Sequence, residues 1–179
     1  KNEQGEELRE LRRRLESLHR PGEVTGEEAI IMWRSLAHDD RFIRYAARVA
    51  LEHRPVDSRW TNDIATSSNP RIRIQASIAL ARQGDPTAKH LFDILTGLGE
   101  IDFSELEKQD KLALLRAYAL TFIRLSPAED ADPKLIQWVE DQKQKLAESL
   151  EEKYPSEDDQ LNTELCRLLV YLQSDEVVP

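Results

Sequence analysis

Residues 39–51 read Asp-Asp-Arg-Phe-Ile-Arg-Tyr-Ala-Ala-Arg-Val-Ala-Leu, and residues 69–80 read Asn-Pro-Arg-Ile-Arg-Ile-Gln-Ala-Ser-Ile-Ala-Leu. The two stretches align at an offset of 29 residues, at which four residues are identical and two are similar branched apolar residues. The identical residues of the first stretch are Arg44, Ala47, Ala50 and Leu51, and the similar ones are Ile43 and Val49. A turn residue followed by this pattern, recurring at such a distance, is typical of stacked helical hairpins. The repeat therefore predicts an all-α chain in which each hairpin covers the apolar face of its neighbour.

Proline and glycine fall between periodic segments, and no alternating Val/Ile/Thr run predicts a strand. Four hairpins are predicted by the apolar spacing: 26–37 with 41–53, 57–67 with 70–82, 86–97 with 110–125, and 133–150 with 160–172. The expected architecture is a right-handed α-solenoid of about four hairpins. Residues 1–22 are expected to form an N-terminal capping or linker helix, 23–173 the repeat domain, and 174–179 a tail.

The two halves of the chain differ in net charge. The net charge of −9 is spread unevenly, because residues 1–98 carry 16 basic against 15 acidic side chains and residues 99–179 carry 9 against 19. The single cysteine excludes an internal disulfide, and no apolar run is long enough to span a bilayer, so no membrane insertion is expected. The chain begins at Lys1 without Met, which suggests a piece of a longer or processed protein.

The first helix carries a narrow leucine stripe on an otherwise charged surface. Such a stripe must cap the stack or contact another domain, and its members are expected to act in domain docking: Leu8, Leu11, Leu15 and Leu18. Residues 110–125 are apolar nearly all round, which predicts a buried central helix. Trp60 lies on a short, polar helix and is expected to be exposed as an anchor for a partner.

Two patterns in this sequence resemble known protein families. The Asp-then-Arg pattern resembles HEAT repeats, a family of helical hairpins in which a turn Asp and a second-helix Arg form a ladder between repeats. Carried over, the resemblance implies a structural ladder of Asp40, Arg44, Asn69 and Arg73, with Asn69 departing from the usual Asp.

The strings DDRFIRYAARVALEHRPV, LLRAYALTFIRL and LNTELCRLLVYL are also similar to a HEAT segment of large secreted or envelope bacterial proteins. In that family a sugar-dehydrogenase-like propeller precedes the segment and a cytochrome c domain with a CxxCH haem motif follows. The resemblance implies a periplasmic or secreted location. This chain has no CxxCH and no propeller strands, so no cofactor is expected on any of its residues.

Candidate binding residues lie mostly on the second helices, which line the concave side of many HEAT arrays. They are Arg41, Arg44, Arg48, Trp60, Arg71 and Arg73. Arginines in such a position could contact phosphates or another anionic ligand. The acidic second half and the lack of aromatic residues among the arginines disfavour nucleic acid.

No residue pattern predicts catalysis or metal binding. The four histidines lack the spacing of a metal site, Cys166 lies in an apolar run without a predicted base, and the paired acids fall at helix starts where capping explains them. The sequence thus predicts a non-enzymatic, monomeric module that holds neighbouring domains or binds a protein partner. The alternatives are an independent adaptor and a binder of nucleic acid or anionic ligands.

Overall fold

A computed structural model describes residues 3–85 and 87–174. Over these residues the chain is all-α, with nine α-helices, one 3-10 helix at Phe103–Glu105 and no strand. The α-helices are α1 Glu3–Glu16, α2 Gly26–Ser35, α3 Arg41–Glu52, α4 Ser58–Thr66, α5 Pro70–Gln83, α6 Ala88–Gly99, α7 Lys108–Leu125, α8 Pro133–Glu151 and α9 Asp159–Tyr171. None of them combines the length and the apolar character needed to cross a membrane.

Short polar side chains start several of these helices, as their positions in the sequence predict. Thr25 and Glu28 form a reciprocal capping box at α2, while Asp40 and Asn69 cap α3 and α5. The start of α6 differs from the prediction: the Thr87 hydroxyl accepts the amide of His90, so the helix begins at Ala88. Pro86, expected to open that helix, lies outside the described residues.

The helices pack as consecutive pairs whose second members form one row. Each of the pairs α2–α3, α4–α5, α6–α7 and α8–α9 is in contact as a hairpin. The odd-numbered helices form a continuous row, since α1 packs on α3, α3 on α5, α5 on α7, and α7 on α9. Among the even-numbered helices, α4 packs closely on α6.

Small residues allow these close approaches. The buried alanines Ala46, Ala47 and Ala50 place the backbone of α3 near its neighbours. At the contact between α4 and α6, a Cβ added to Gly97 would lie 2.5 Å from the carbonyl oxygen of Ile64. Any larger residue at position 97 would therefore push the two helices apart.

The first helix is part of the core. Leu15 and Leu18 are buried, at 0% and 5% exposure, while Leu8 and Leu11 are half-buried against the same core. The prediction that this leucine stripe docks another domain is wrong for Leu15 and Leu18, because α3 and its neighbours already cover them. Within residues 3–22, α1 thus packs against the same core as the later helices, and of the predicted tail only Ser174 lies within the described residues.

The burial of α7 differs from the prediction on one side. Leu114, Leu115 and Phe122 are fully covered, as expected of a central helix. Ile123, however, is 64% exposed, and Leu120 on the same side is only half-buried. The neighbours α5, α6 and α9 cover three sides of the helix and leave the fourth open, so α7 presents an apolar strip at the surface.

Candidate binding surface

The exposed side of α3 carries aromatic rings covered by guanidinium groups. Phe42 and Tyr45 are 51% and 58% exposed. The guanidinium carbons of Arg41 and Arg12 lie 4.7 and 5.7 Å from the centre of the Phe42 ring, and that of Arg48 lies 5.1 Å from the Tyr45 ring. Each is within the range of a cation–π contact. The sequence-based view that aromatic residues are not interleaved with the arginines is therefore wrong for this helix.

A cluster of three arginines continues this surface, and two of them share one carboxylate. Arg48 is buried to 8% exposure and donates to Glu52, and the Nε of Arg82 lies 3.0 Å from the same Glu52 oxygen. Desolvation lowers the pKa of Arg48, Glu52 opposes that shift, and the positive charges of Arg82 and Arg116 add to it. Arginine nevertheless remains charged at neutral pH. The cluster thus carries two positive charges beyond what Glu52 offsets.

An apolar groove of about 660 Å³ runs between α7 and α9. Its apolar lining comes from both helices: Leu112, Ala113, Leu115, Ala119, Leu120, Ile123, Leu168 and Tyr171. At one end the rings of Phe122 and Tyr171 lie 6.5 Å apart, which joins the two helices there. The groove is open to solvent along its length, so it exposes apolar surface that no described part of the chain covers.

The rim of the groove is polar and slightly basic. It consists of Gln109, Arg116, Gln160, Glu164 and Arg167. Arg167 is 2.7 Å from Glu164 in an exposed pair, whereas Arg116 makes no ion pair with any residue the structure describes. Arg116 also belongs to the arginine cluster, because it is near Arg48 and α7 packs beside α5. The groove and the cluster therefore form one surface, called here the odd-row face. It consists of the exposed residues just named on α3, α5, α7 and α9.

Of the six predicted binding residues, Arg41 is exposed on the odd-row face, and Arg48 lies at this face but is buried, at 8% exposure. Arg44 turns back to its own turn, where Nη1 donates to the carbonyl oxygens of His38 and Asp39 at 2.6 and 2.8 Å. Arg73 donates to the carbonyl of Ser67 and reaches the next hairpin through the Gly97 carbonyl and Glu100. Both guanidinium groups hold turns in place, and both are committed to partners within the chain.

Arg71 links successive hairpins. Its three nitrogens lie 2.6 Å from Asp39, 3.0 Å from Glu107 and 2.7 Å from Asp110. Hydrogen bonds to Asp110 and Asp39, together with the negative charges of Asp110 and Glu107, raise the pKa of Arg71. The side chain is therefore saturated with partners, and the prediction that it binds a ligand has no support in the geometry.

The four residues of the predicted ladder divide between two tasks. Asp40 and Asn69 serve as the helix caps described above, while Arg44 and Arg73 bind turn carbonyls. Arg73 does cross to the next hairpin, at 2.9 Å from Glu100. The densest ionic link between hairpins passes through Arg71, two residues away from the position that the resemblance implies.

Trp60 is buried, at 3% exposure, which contradicts its predicted exposure. Its ring lies edge-on to that of Trp33, with centroids 6.3 Å apart. The short helix α4 has few apolar residues, and they turn inward because α5 and α6 pack on it. Among the polar residues of α4, Asn62 and Thr66 face solvent, whereas Thr61 is buried.

A larger cleft of about 1310 Å³ lies beside these two tryptophans, between α2 and α4. Ile30 stands at its edge, 52% exposed. Arg54, which also lines the cleft, is buried and donates to the carbonyl oxygens of Leu18, Arg20 and Gly22. The cleft mixes acidic with basic side chains, so its charge does not favour one class of ligand.

Two of the four histidines contact backbone groups of the chain. His19 Nε2 is 2.8 Å from the carbonyl oxygen of Ala46, and His38 Nδ1 accepts the amide of Asp40. Cys166 is half-buried, and no group of three or more potential ligands within the described ranges is placed to hold a metal ion. No protein-family model, curated protein or solved structure matches the chain.

Proposed function

We propose that the chain is a right-handed α-solenoid of HEAT-like hairpins with α1 as its N-terminal cap. The consecutive pairing of helices and the continuous row of odd-numbered helices support this architecture. The buried leucines of α1 support the capping role, since they cover the first hairpin at the end of the row. The 29-residue repeat of α3 and α5 supports the HEAT-like assignment.

The function we propose is a non-enzymatic protein-interaction module that binds its partner through the odd-row face. One observation carries this proposal: the groove between α7 and α9 exposes apolar side chains along a central helix, up to an Ile123 that is 64% exposed. Contiguous exposed apolar surface with a polar rim is typical of protein-binding sites. The partner is either another domain of a longer chain or a separate protein.

A second candidate is nucleic-acid binding, favoured by the exposed Phe42 and Tyr45 with their stacked arginines. Aromatic side chains beside basic groups are typical of single-strand binding surfaces. This candidate leaves the apolar groove unexplained, because a phosphate backbone gains nothing from Leu120 and Ile123. It therefore ranks below protein binding.

The test uses a photo-crosslinking amino acid at Ile123 in the natural full-length protein, expressed in its own cells. The matched control places the same amino acid at Gln137, which is exposed on α8 and does not line the groove. Discrete protein adducts, or a crosslink to another domain of the same chain, are expected from position 123 and not from position 137. Identical products from both positions, or none from position 123, would refute the proposal.

A further inference from the structure

We infer that the groove between α7 and α9 binds an amphipathic helix of the partner, with carboxylates on the flank that faces Arg116. This inference rests on the proposed protein-binding function and names the chemistry of the partner. It follows from three properties of the groove: its length, its apolar floor and the charge of its rim.

The dimensions of the groove suit a helix. From Gln109 to Ile123 it follows α7 for 15 residues, which is about 21 Å at 1.5 Å per residue. A partner helix of about four turns would match this length. Its apolar residues, spaced three and four apart, would lie along the floor formed by Leu112, Ala119 and Leu120.

The charge of the rim favours acidic groups on that helix. Arg116 has no carboxylate partner among the described residues, and the nearby Arg82 is 45% exposed while sharing Glu52 with Arg48. A partner carboxylate placed here would supply the missing counter-charge for two guanidinium groups. Charged hydrogen bonds of this kind select the partner and its orientation.

The acidic character of the second half of the chain does not oppose this arrangement at the groove. Residues 99–179 contain 19 acidic side chains, of which 17 lie at described positions; among those 17, Glu164 alone lines the groove, and it is paired with Arg167. At physiological salt, charges farther away than about 8 Å are largely screened. The local arginines therefore dominate the potential that a docked helix experiences.

Selection from a displayed library of random helical peptides tests the inference without a known partner. The wild-type chain is the bait, and Ile123→Asp is the counter-selection bait, because position 123 is exposed enough to accept Asp without unfolding. Enriched peptides are expected to carry large apolar residues three and four apart and a net negative charge. The best peptide is then synthesised and its affinity measured by fluorescence anisotropy.

Arg116→Glu is expected to lower the affinity of the chain for this peptide by roughly tenfold or more, because it replaces attraction to the peptide carboxylates by repulsion. Arg34→Glu is the matched control, an exposed arginine on α2 outside the groove, and it should leave the affinity unchanged. Replacing the Glu and Asp residues of the peptide by Lys should abolish binding. Circular dichroism of each variant checks that it remains folded.

Several outcomes would overturn the inference. They are enrichment of basic or uncharged peptides, no enrichment at all, or peptides that bind Ile123→Asp as well as the wild type. Binding of a thymidine oligonucleotide that Arg116→Glu abolishes and Ile123→Asp leaves intact would assign the face to nucleic acid instead. A crosslink at position 123 combined with failure of the acidic peptides would refute this inference and leave the proposed function standing.

Discussion

At the scale of single residues, Arg71 shows how one guanidinium can join three helices of the chain. It binds Asp39 before α3 and both Glu107 and Asp110 at the start of α7, while itself lying on α5. The side chain of Asp110 is only 8% exposed, so its charge depends on Arg71 for compensation. Removing one partner of a buried pair leaves an uncompensated charge, which costs far more than losing an exposed pair.

Arg71→Met is therefore expected to lower the free energy of unfolding by about 3–5 kcal/mol. Urea denaturation followed by circular dichroism measures the change. Arg13→Met, which breaks an exposed pair with Glu10, is the control and should cost about 0–1 kcal/mol. The double variant Arg71→Met/Asp110→Leu should recover much of the loss. A cost below about 1 kcal/mol for Arg71→Met would mean that solvent screens this cluster.

At the scale of helices, α1 is held to the rest of the chain by more than its leucines. His19 contacts the carbonyl of Ala46 on α3, and Arg54, just after α3, donates to three carbonyls between α1 and α2. These contacts join residues far apart in the sequence, so spacing alone could not reveal them. The leucine stripe predicted an apolar contact correctly, but it could not say whether this chain or another supplies the covering surface.

Leu15→Ala is expected to destabilise the whole chain by about 2–5 kcal/mol, because it leaves a cavity under a fully buried side chain. Glu7→Ala, at an exposed position of the same helix, should change stability by less than about 0.5 kcal/mol. Both values come from urea denaturation. A neutral Leu15→Ala would show that α1 detaches easily, and the docking role predicted from its sequence would regain support.

Much of the helix pattern could be predicted from the sequence, because caps and apolar spacing are local signals. The second helix of the first hairpin was expected at 41–53 and spans Arg41–Glu52, and the central helix was expected at 110–125 and spans Lys108–Leu125. Burial was harder to predict. Trp60 and Ile123 were both assigned to the wrong environment, since exposure depends on which neighbours pack against each side of a helix.

The candidate surface was predicted only in part, for a similar reason. Arg41 and Arg48 were expected on it, but Arg116 was not, because it stands alone among apolar residues of α7 and shares no pattern with the other arginines. Its proximity to Arg48 arises only when α3, α5 and α7 pack in a row. Arg44, Arg71 and Arg73 show the opposite case. Their regular spacing led to the prediction that they bind a ligand, but all three make structural contacts within the chain.

At the scale of the whole molecule, stability should vary along the stack. Each helix of the odd row contacts its immediate neighbours, so local stability follows the contacts each hairpin makes. The middle of the row is densely packed: α5 buries seven residues of 14 and α7 buries eight of 18. The last hairpin is weaker, since α8 buries only Val139, Ala147 and Leu150 among its 19 residues.

Hydrogen exchange measured by mass spectrometry should therefore resolve the chain into unequal parts. The amides of α8 are expected to exchange well before those of α5 and α7, because a helix with few buried contacts opens without unfolding the rest. Protection of α7 should persist when α8 has exchanged, since α5 and α6 still cover two of its sides. Equal protection of α5, α7 and α8 would instead mean that the nine described helices unfold as one cooperative unit. In that case the groove between α7 and α9 would be as rigid as the core, whereas early opening of α8 would let α9 adjust its position around a docked helix.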